Sequence, residues 1–403
     1  MNKVVITGMG AVTAIGLNTE DFWNALINGE GGIDKITRIP VENHDTTVAA
    51  QVSDDFEALA SKYWKKRQLS ATTKSSRMGL IAAGEAVENS GADMSALNGS
   101  RIAVIFGIAD NSYDDAEQDI KPNIILKRMP SEVPAMLAMK YGITGATFNV
   151  STACASSAYA AALGKQFIQS GMYDMVIVGG MSNVVSHIIL SGFNQLLAMS
   201  VNPDPATASR PFTKNRDGFI MGEGSGVMIL ESEEHAKARG AKIHCELAGA
   251  SMTCEAHNLT APKTDGEGMA ETITLALRDA GISPDEVDYI NAHGTSTGLN
   301  DLYETMAVKK VFGERAYDIP MSSIKAAIGH TLAAGGALEG IACVKAIETG
   351  TLPPTIHYDE PDPELDLNYI PNKAIKKDIN VAVSNSFGFG GNNATLVFRK
   401  YEG

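Results

Sequence analysis

The stretch ATFNVSTACASSAYAAALGKQFIQSGMYDMVIVGG (146–180) decides the architecture. A short run, ATFNV, leads into Cys154, a helical run of small residues follows, and an apolar strand, MVIVGG, closes the unit. Strand, turn, helix and strand in that order describe a sheet covered by helices. A weaker echo lies at SSIKAAIGHTLAAGGALEGIACVKAIETG (322–350), where His330 opens a second small-residue helix behind a strand-like run. The pair suggests two similar α/β halves meeting near residue 250, with equivalent strand ends brought to one central site.

Outward from these two segments, VVITG, IAVIF, MVIVGG, GVMILE, VDYINAHG and INVAVSNS read as buried strands, each a near-continuous apolar run bounded by glycine or polar residues. TEDFWNALING, SSRMGLIAAGEAVENSG, PSEVPAMLAMKYG, AETITLALRDAG and the run over 336–350 read as amphipathic helices, several ending on a glycine cap. The alternation predicts parallel-type sheets. Glycine, 39 of 403 residues, gathers at Gly8–Gly16, Gly222–Gly226, Gly329–Gly340 and Gly388–Gly391, which reads as tight turns around a site. No Pro/Ser-rich linker divides the chain.

Composition removes several function classes. Lysine and arginine number 33 against 47 acidic residues, a formal charge of −14, so general nucleic-acid binding is not expected. Four scattered cysteines (Cys154, Cys245, Cys254, Cys343) do not make a disulfide scaffold. The opening MNKVVITGMG lacks the pattern of a secretory leader, and no apolar run is long enough for a membrane span. A cytoplasmic enzyme is the expectation.

Three residues sit where chemistry is easily done. Cys154, at a strand-to-helix turn, would meet free backbone N–H groups that stabilise a thiolate or hold an oxyanion. A lone cysteine is more often inert and buried. His293, in YINAHGTSTG, is delivered by a strand to a Gly-Thr-Ser-Thr turn. His330 starts a helix, a position that disfavours imidazolium and predicts a neutral ring. Lys325 and Glu339 bracket His330; a buried lysine would depress the basicity of both histidines and steady a carboxylate, whereas a surface Lys and a solvated Glu are the plainer reading. SNSFGFGGNNAT (384–395) runs from strand into a Gly-rich loop whose Phe387 and Phe389 could gate an apolar tunnel or pack as core aromatics. Neither this loop nor Gly8–Met9–Gly10 has dinucleotide spacing, so no nicotinamide cofactor is expected. His244, Cys245, Cys254 and His257 fit no zinc pattern, and no metal is expected. Lys62, Lys65, Lys66, Arg67, Lys74 and Arg77 form a basic cluster suited to an acidic carrier protein or a phosphorylated arm, or else a solvated face.

TACASS (152–157), NAHGTST (291–297), SSIKAAIGH (322–330), NSFGFGGNN (385–393) and RPFTKNRDGFIMGEGSGVMILE (210–231) together closely resemble the β-ketoacyl-acyl-carrier-protein synthases, most of all the synthase II branch. The likeness runs nearly the whole chain. It implies an α/β thiolase-like fold, two similar halves in a five-layer αβαβα arrangement, here 1–248 with the cysteine and 249–403 with both histidines. It implies an acyltransferase that performs decarboxylative Claisen condensation without a cofactor, on substrates carried as phosphopantetheine thioesters by an acyl carrier protein. Carried over by motif, Cys154 is the acyl acceptor, and His293 and His330 drive decarboxylation. The N–H groups of Cys154 and Phe389 form the oxyanion hole, Lys325 and Glu339 support, and Phe387 and Phe389 gate. The family also implies a dimer, with itself or with a chain-length-factor-like homologue. A non-catalytic chain-length factor is disfavoured because Cys154, His293 and His330 are all present, and a biosynthetic thiolase because the C-terminal loop has no cysteine. One stretch departs from the family's fatty-acid elongators. Where they have a glycine-rich apolar segment lining the tunnel, the chain reads Asp110-Asn111-Ser112-Tyr113-Asp114-Asp115. A carboxylate beside a saturated chain is costly, which turns the expectation from housekeeping fatty-acid elongation toward a polyketide or polyene chain.

Overall fold

A computed structural model describes residues 2–109 and 124–403; Asp110 lies outside the described residues. Ten strands form the main sheet: β1 (Val4–Thr13), β2 (Ile102–Gly107), β3 (Thr147–Val150), β4 (Met175–Ser182), β5 (Gly224–Ser232), β6 (Cys245–Cys254), β7 (Tyr289–Asn291), β8 (Met321–Ser322), β9 (Val381–Phe387) and β10 (Asn392–Arg399). Six helices complete the frame: α1 (Lys74–Ser90), α2 (Glu132–Tyr141), α3 (Ser156–Gln169), α4 (Glu267–Ala280), α5 (Gly298–Phe312) and α6 (Gly335–Thr349).

The order along the sheet is β8-β7-β9-β10-β6-β1-β5-β4-β2-β3. It is one pattern used twice. In each half a first strand pairs antiparallel with the last, the last antiparallel with the one before it, and the remaining two join in parallel. The chain runs β1-α1-β2-α2-β3-α3-β4-β5 and then β6-α4-β7-α5-β8-α6-β9-β10. Among the described residues, Val5 opposite Glu246 and Ile6 opposite Cys245 join the halves across the sheet. The division expected at 248/249 falls inside β6, which pairs with β10 from Glu246 to Cys254. The parallel-type sheets expected take the form of one mixed sheet: parallel pairs lie toward both edges, while β4–β5 and β9–β10 return as antiparallel neighbours.

Burial follows the layers. One core lies under α1 and α2 against the first half, one under α4 and α5 against the second, and a large central core holds α3 and α6 between the two faces. The result is the five-layer αβαβα arrangement. The first glycine cluster has a different cause from the turn expected of it. Gly8 and Gly10 lie inside β1, where a Cβ on Gly10 would sit 1.9 Å from the Ala82 carbonyl oxygen of α1. They let helix backbone approach strand backbone.

The central helices meet just as closely. A Cβ on Gly336 would lie 2.8 Å from the Ala158 backbone nitrogen and 2.8 Å from its Cβ. The Ala337 N–H donates to Ser157 Oγ at 3.0 Å across the same contact. Gly336→Ala is expected to destabilise the protein by roughly 1–3 kcal/mol through overpacking, whereas Gly192→Ala, with nothing within 4 Å, should leave the urea midpoint unchanged or slightly raised. Equal midpoints for the two variants would remove the close-contact account.

Candidate active site

Each half presents one short strand, one turn and one central helix, and the two turns face each other. Val150 ends β3 and Cys154 sits on the single turn Ala153–Ala155 that opens α3; Ser322 ends β8, and His330 precedes the turn Leu332–Ala334 that opens α6. Ala153 (φ 50°) and Leu332 (φ 41°), at matching places in the two turns, both adopt the left-handed region. Such strain in a non-glycine residue is held only where its surroundings enforce it.

The turns bring sulfur and ring together. Cys154 Sγ lies 3.1 Å from His330 Nε2, across 176 residues of chain. His293 meets His330 nearly edge-to-face, ring centroids 5.4 Å apart at 83°. Lys325 Nζ stands 3.4 Å from His293 Nδ1 and pairs with Glu339, both buried. A cavity of about 340 Å³ opens onto Cys154, His293 and His330, with Phe193, Phe219, Phe387 and Phe389 among its lining.

Burial sets the protonation states. It carries both imidazoles well below the usual histidine range, aided by the Lys325 charge, so both rings are neutral near pH 7. The neutral His330 matches the expectation, but desolvation rather than the helix terminus is the main cause. Cys154 departs from expectation. Burial pushes its thiol up to about 11, although the backbone N–H of Phe389, the Lys325 charge and its own N–H all act to lower it. The resting sulfur therefore holds its proton, and His330 Nε2 is placed to accept it. Glu339 and Lys325 offset each other's desolvation, as a buried pair must.

Glu304, Phe193 and Phe219 are not singled out in the sequence, and they join Phe387 and Phe389 at the site. Glu304, on α5, accepts from the backbone N–H groups of His293 and Gly294, each at 2.8 Å, and from Asn385 Nδ2 at 3.2 Å. It fixes the turn that carries His293, and burial pushes its carboxyl up to about 7 against those three donors. Phe219 packs edge-to-face on His330, centroids 5.3 Å apart, and continues through Phe193 (5.4 Å) to Phe389 (6.1 Å). Phe387 lies 6.0 Å from the His293 ring.

The basic cluster divides. Lys65, Lys66 and Arg67 are exposed, and Lys62, also exposed, pairs with Glu88 at 2.7 Å. Arg77 pairs with Glu57 at 3.0 Å. Lys74 is not a docking residue: it is buried beside the fully buried Glu223 carboxylate, which it shares with Arg38. The Cys/His set weighed for zinc does not assemble either, because His244 and Cys245 stand at one end of β6 and Cys254 and His257 at the other. Among the described residues no helix is long and apolar enough to cross a membrane.

A thiol and two neutral imidazoles in an aromatic-lined cavity, on a twice-used αβ frame of the thiolase type, are the equipment of a thioester-handling condensing enzyme. Comparison with known proteins agrees. Residues 1–236 match the family model for the beta-ketoacyl synthase N-terminal domain, and residues 244–359 that for its C-terminal domain. The chain is 39% identical to a 3-oxoacyl-[acyl-carrier-protein] synthase 2 of Synechocystis sp., over 99% of this chain and 98% of that one. It is 38% identical to the protein of the same name from Staphylococcus aureus, over 99% of each. Among solved structures, a chain of a type II polyketide synthase acyl-carrier protein in complex with its ketosynthase superimposes with TM-score 0.90 at 34% identity, covering 99% of this chain and 100% of that one. The ishigamide ketosynthase/chain length factor gives 0.91 at 33%, covering 100% of both. The chain belongs to the β-ketoacyl synthase family. It is an acyltransferase of the ketosynthase type.

A protonated resting thiol makes a direct prediction. Between pH 6 and 9 the iodoacetamide alkylation rate of Cys154 should climb by about tenfold per pH unit, in proportion to the thiolate fraction. A rate already level at pH 7 would mean that the sulfur is ionised at rest.

Proposed function

We propose that Cys154 accepts an acyl chain from an acyl carrier protein and that His293 and His330 then drive its condensation with malonyl-carrier. The observation that carries this reading is the convergence of one sulfur and two uncharged imidazoles in one aromatic-lined cavity. In the first half-reaction the Cys154 proton passes to His330 Nε2, the sulfur attacks the thioester carbonyl, and the N–H groups of Cys154 and Phe389 receive the oxyanion. The carrier's thiol leaves with the proton. In the second, the imidazole N–H groups hold the malonyl thioester oxygen while the bond to the carboxylate breaks. Carbon dioxide departs, the enolate carbon attacks the acyl-enzyme, and the Cys154 sulfur is released as a thiolate that takes up one proton from solvent to restore the resting thiol.

Two details support these roles. Lys325 donating to His293 Nδ1 leaves Nε2 as the ring's N–H donor. His330 Nδ1 has no partner among the described residues. Nothing there locks its tautomer, so Nε2 can accept a proton in one half-reaction and donate a hydrogen bond in the next. A hydrolase would need open access to water, which the ring cluster opposes. A thiolase would need a second cysteine at the site, and Cys154 is the only one among the residues lining the cavity.

The carrier's phosphopantetheine arm would enter this cavity, and Lys65, Lys66 and Arg67, with Lys62, would meet its acidic body. A second chain, identical or chain-length-factor-like, would cover β3, which is half-buried along its length and pairs on one side only. For the pathway we favour a polyketide or polyene chain over housekeeping fatty-acid elongation. The acidic stretch that begins at Asp110 and the polyketide structural neighbours support this, while the names of the curated relatives support fatty-acid elongation.

Incubation with acyl-carrier donors should place one acyl mass on the protein, absent in Cys154→Ala. His293→Ala should still acylate but lose condensation by about 10²–10⁴-fold. Charge reversal of Lys65, Lys66 and Arg67 should raise KM for carrier substrates in a salt-dependent way, and native mass spectrometry of the same samples should find two chains. An acyl mass retained in Cys154→Ala would end the proposal; an unchanged KM or a lone chain would end only its docking or pairing part. For the pathway reading, Asp110→Ile should shift the accepted chains toward saturated acyl groups, and an unaltered acyl profile would remove the case built on that carboxylate.

A further inference from the structure

The three groups that make the site suitable for thioesters are also metal ligands. Donor atoms of Cys154, His293 and His330 all lie within 4.8 Å of one another, and all three residues are buried. Tetrahedral zinc, with Zn–S about 2.3 Å and Zn–N about 2.1 Å, sets its ligand atoms roughly 3.4–3.6 Å apart. Cys154 Sγ and His330 Nε2, now 3.1 Å apart, would open slightly, and the remaining pairs, within 4.8 Å, would close by at most about 1.4 Å. The three side chains share one cavity wall, and the cavity supplies the open fourth position.

We propose that this trio is an inhibitory site for zinc and similar soft divalent cations, three protein ligands with one position left to water. Binding is a displacement without redox change. Zn–S and Zn–N bonds form, the S–H bond of Cys154 breaks, and its proton passes to the buffer. Each ring ligates through a nitrogen lone pair and carries its own proton on the nitrogen turned away from the metal, which for His293 means a shift from Nε2 to Nδ1 and loss of the hydrogen bond accepted from Lys325. For His293 a neighbour works against this. Lys325 Nζ, 3.4 Å from Nδ1, brings a positive charge to the ring, and Glu339 offsets it only in part. The opposing ammonium makes this a reversible acquired site rather than a resident metal centre. Occupancy ties up the sulfur and both rings at once, so the enzyme cannot accept an acyl group while the metal stays. That last consequence rests on the acylation reading above; the binding itself does not.

The test uses the whole protein without substrate, in a Cys254→Ser background that removes the exposed thiol beside His257. Cobalt(II) should produce a thiolate-to-cobalt charge-transfer absorption at one metal per chain, displaced by zinc. Zinc at ten times its Kd leaves about one site in eleven free, so alkylation of Cys154 should slow roughly tenfold and recover on adding a chelator. Cys154→Ser should abolish the absorption, and His293→Ala should abolish protection at the same zinc concentration. An absorption that persists in Cys154→Ser, or alkylation unaffected by millimolar zinc, would overturn the proposal. Because neither readout needs turnover, failure here leaves the condensation reading standing, and a failed acyl transfer leaves this one standing.

Discussion

The contact between α3 and α6 is the constraint on which the rest depends. Each helix follows a short strand in its own half, with Cys154 in the turn that opens α3 and His330 just ahead of the turn that opens α6. Gly336 and Ala158 let the two backbones approach closely, and the bond from Ala337 N–H to Ser157 Oγ fixes their register. With that register set, Cys154 and His330 are neighbours. Small residues in the centre of a large protein are thus a positional device, since each added methyl would push the turns apart.

Around that contact the protein buries charge in compensated units. Lys325 answers Glu339, and Glu304 answers backbone N–H groups and Asn385. Lys325 orients His293, lowers the basicity of both rings and acts against burial at the Cys154 thiol, and Glu304 holds the turn that carries His293. Desolvation then leaves both imidazoles neutral, which is the form that can donate to a developing enolate without first losing a proton.

Much of this was legible in the sequence. Cys154, His293 and His330 stood at strand ends beside small residues, and the echo between 146–180 and 322–350 disclosed the repeat. What stayed hidden has a physical cause in each case. Helix α5 was not visible because it is buried on several faces, where Asn300, Asp301, Glu304 and Thr305 are mixed with Tyr303, Ala307, Val308 and Phe312 and blur the apolar period. Glu304 was hidden with it. β10 was hidden behind the glycine loop that makes its hairpin with β9. Gly8 and Gly10 resembled a turn because a strand position pressed by a helix asks for the same residue. Lys74 resembled its exposed neighbours, since a run of basic residues does not reveal which one turns inward to Glu223. The thiol's protonation was misjudged because a strand-to-helix turn announces its dipole in the sequence, whereas the depth of burial is a property of the folded whole.

That depth has a further consequence. Peroxide and stray electrophiles attack the thiolate, and a sulfur that stays protonated until a carbonyl is delivered to it offers them little. Burial that raises the thiol therefore slows its reaction with such reagents, and the neighbouring ring that accepts its proton is what restores its nucleophilicity.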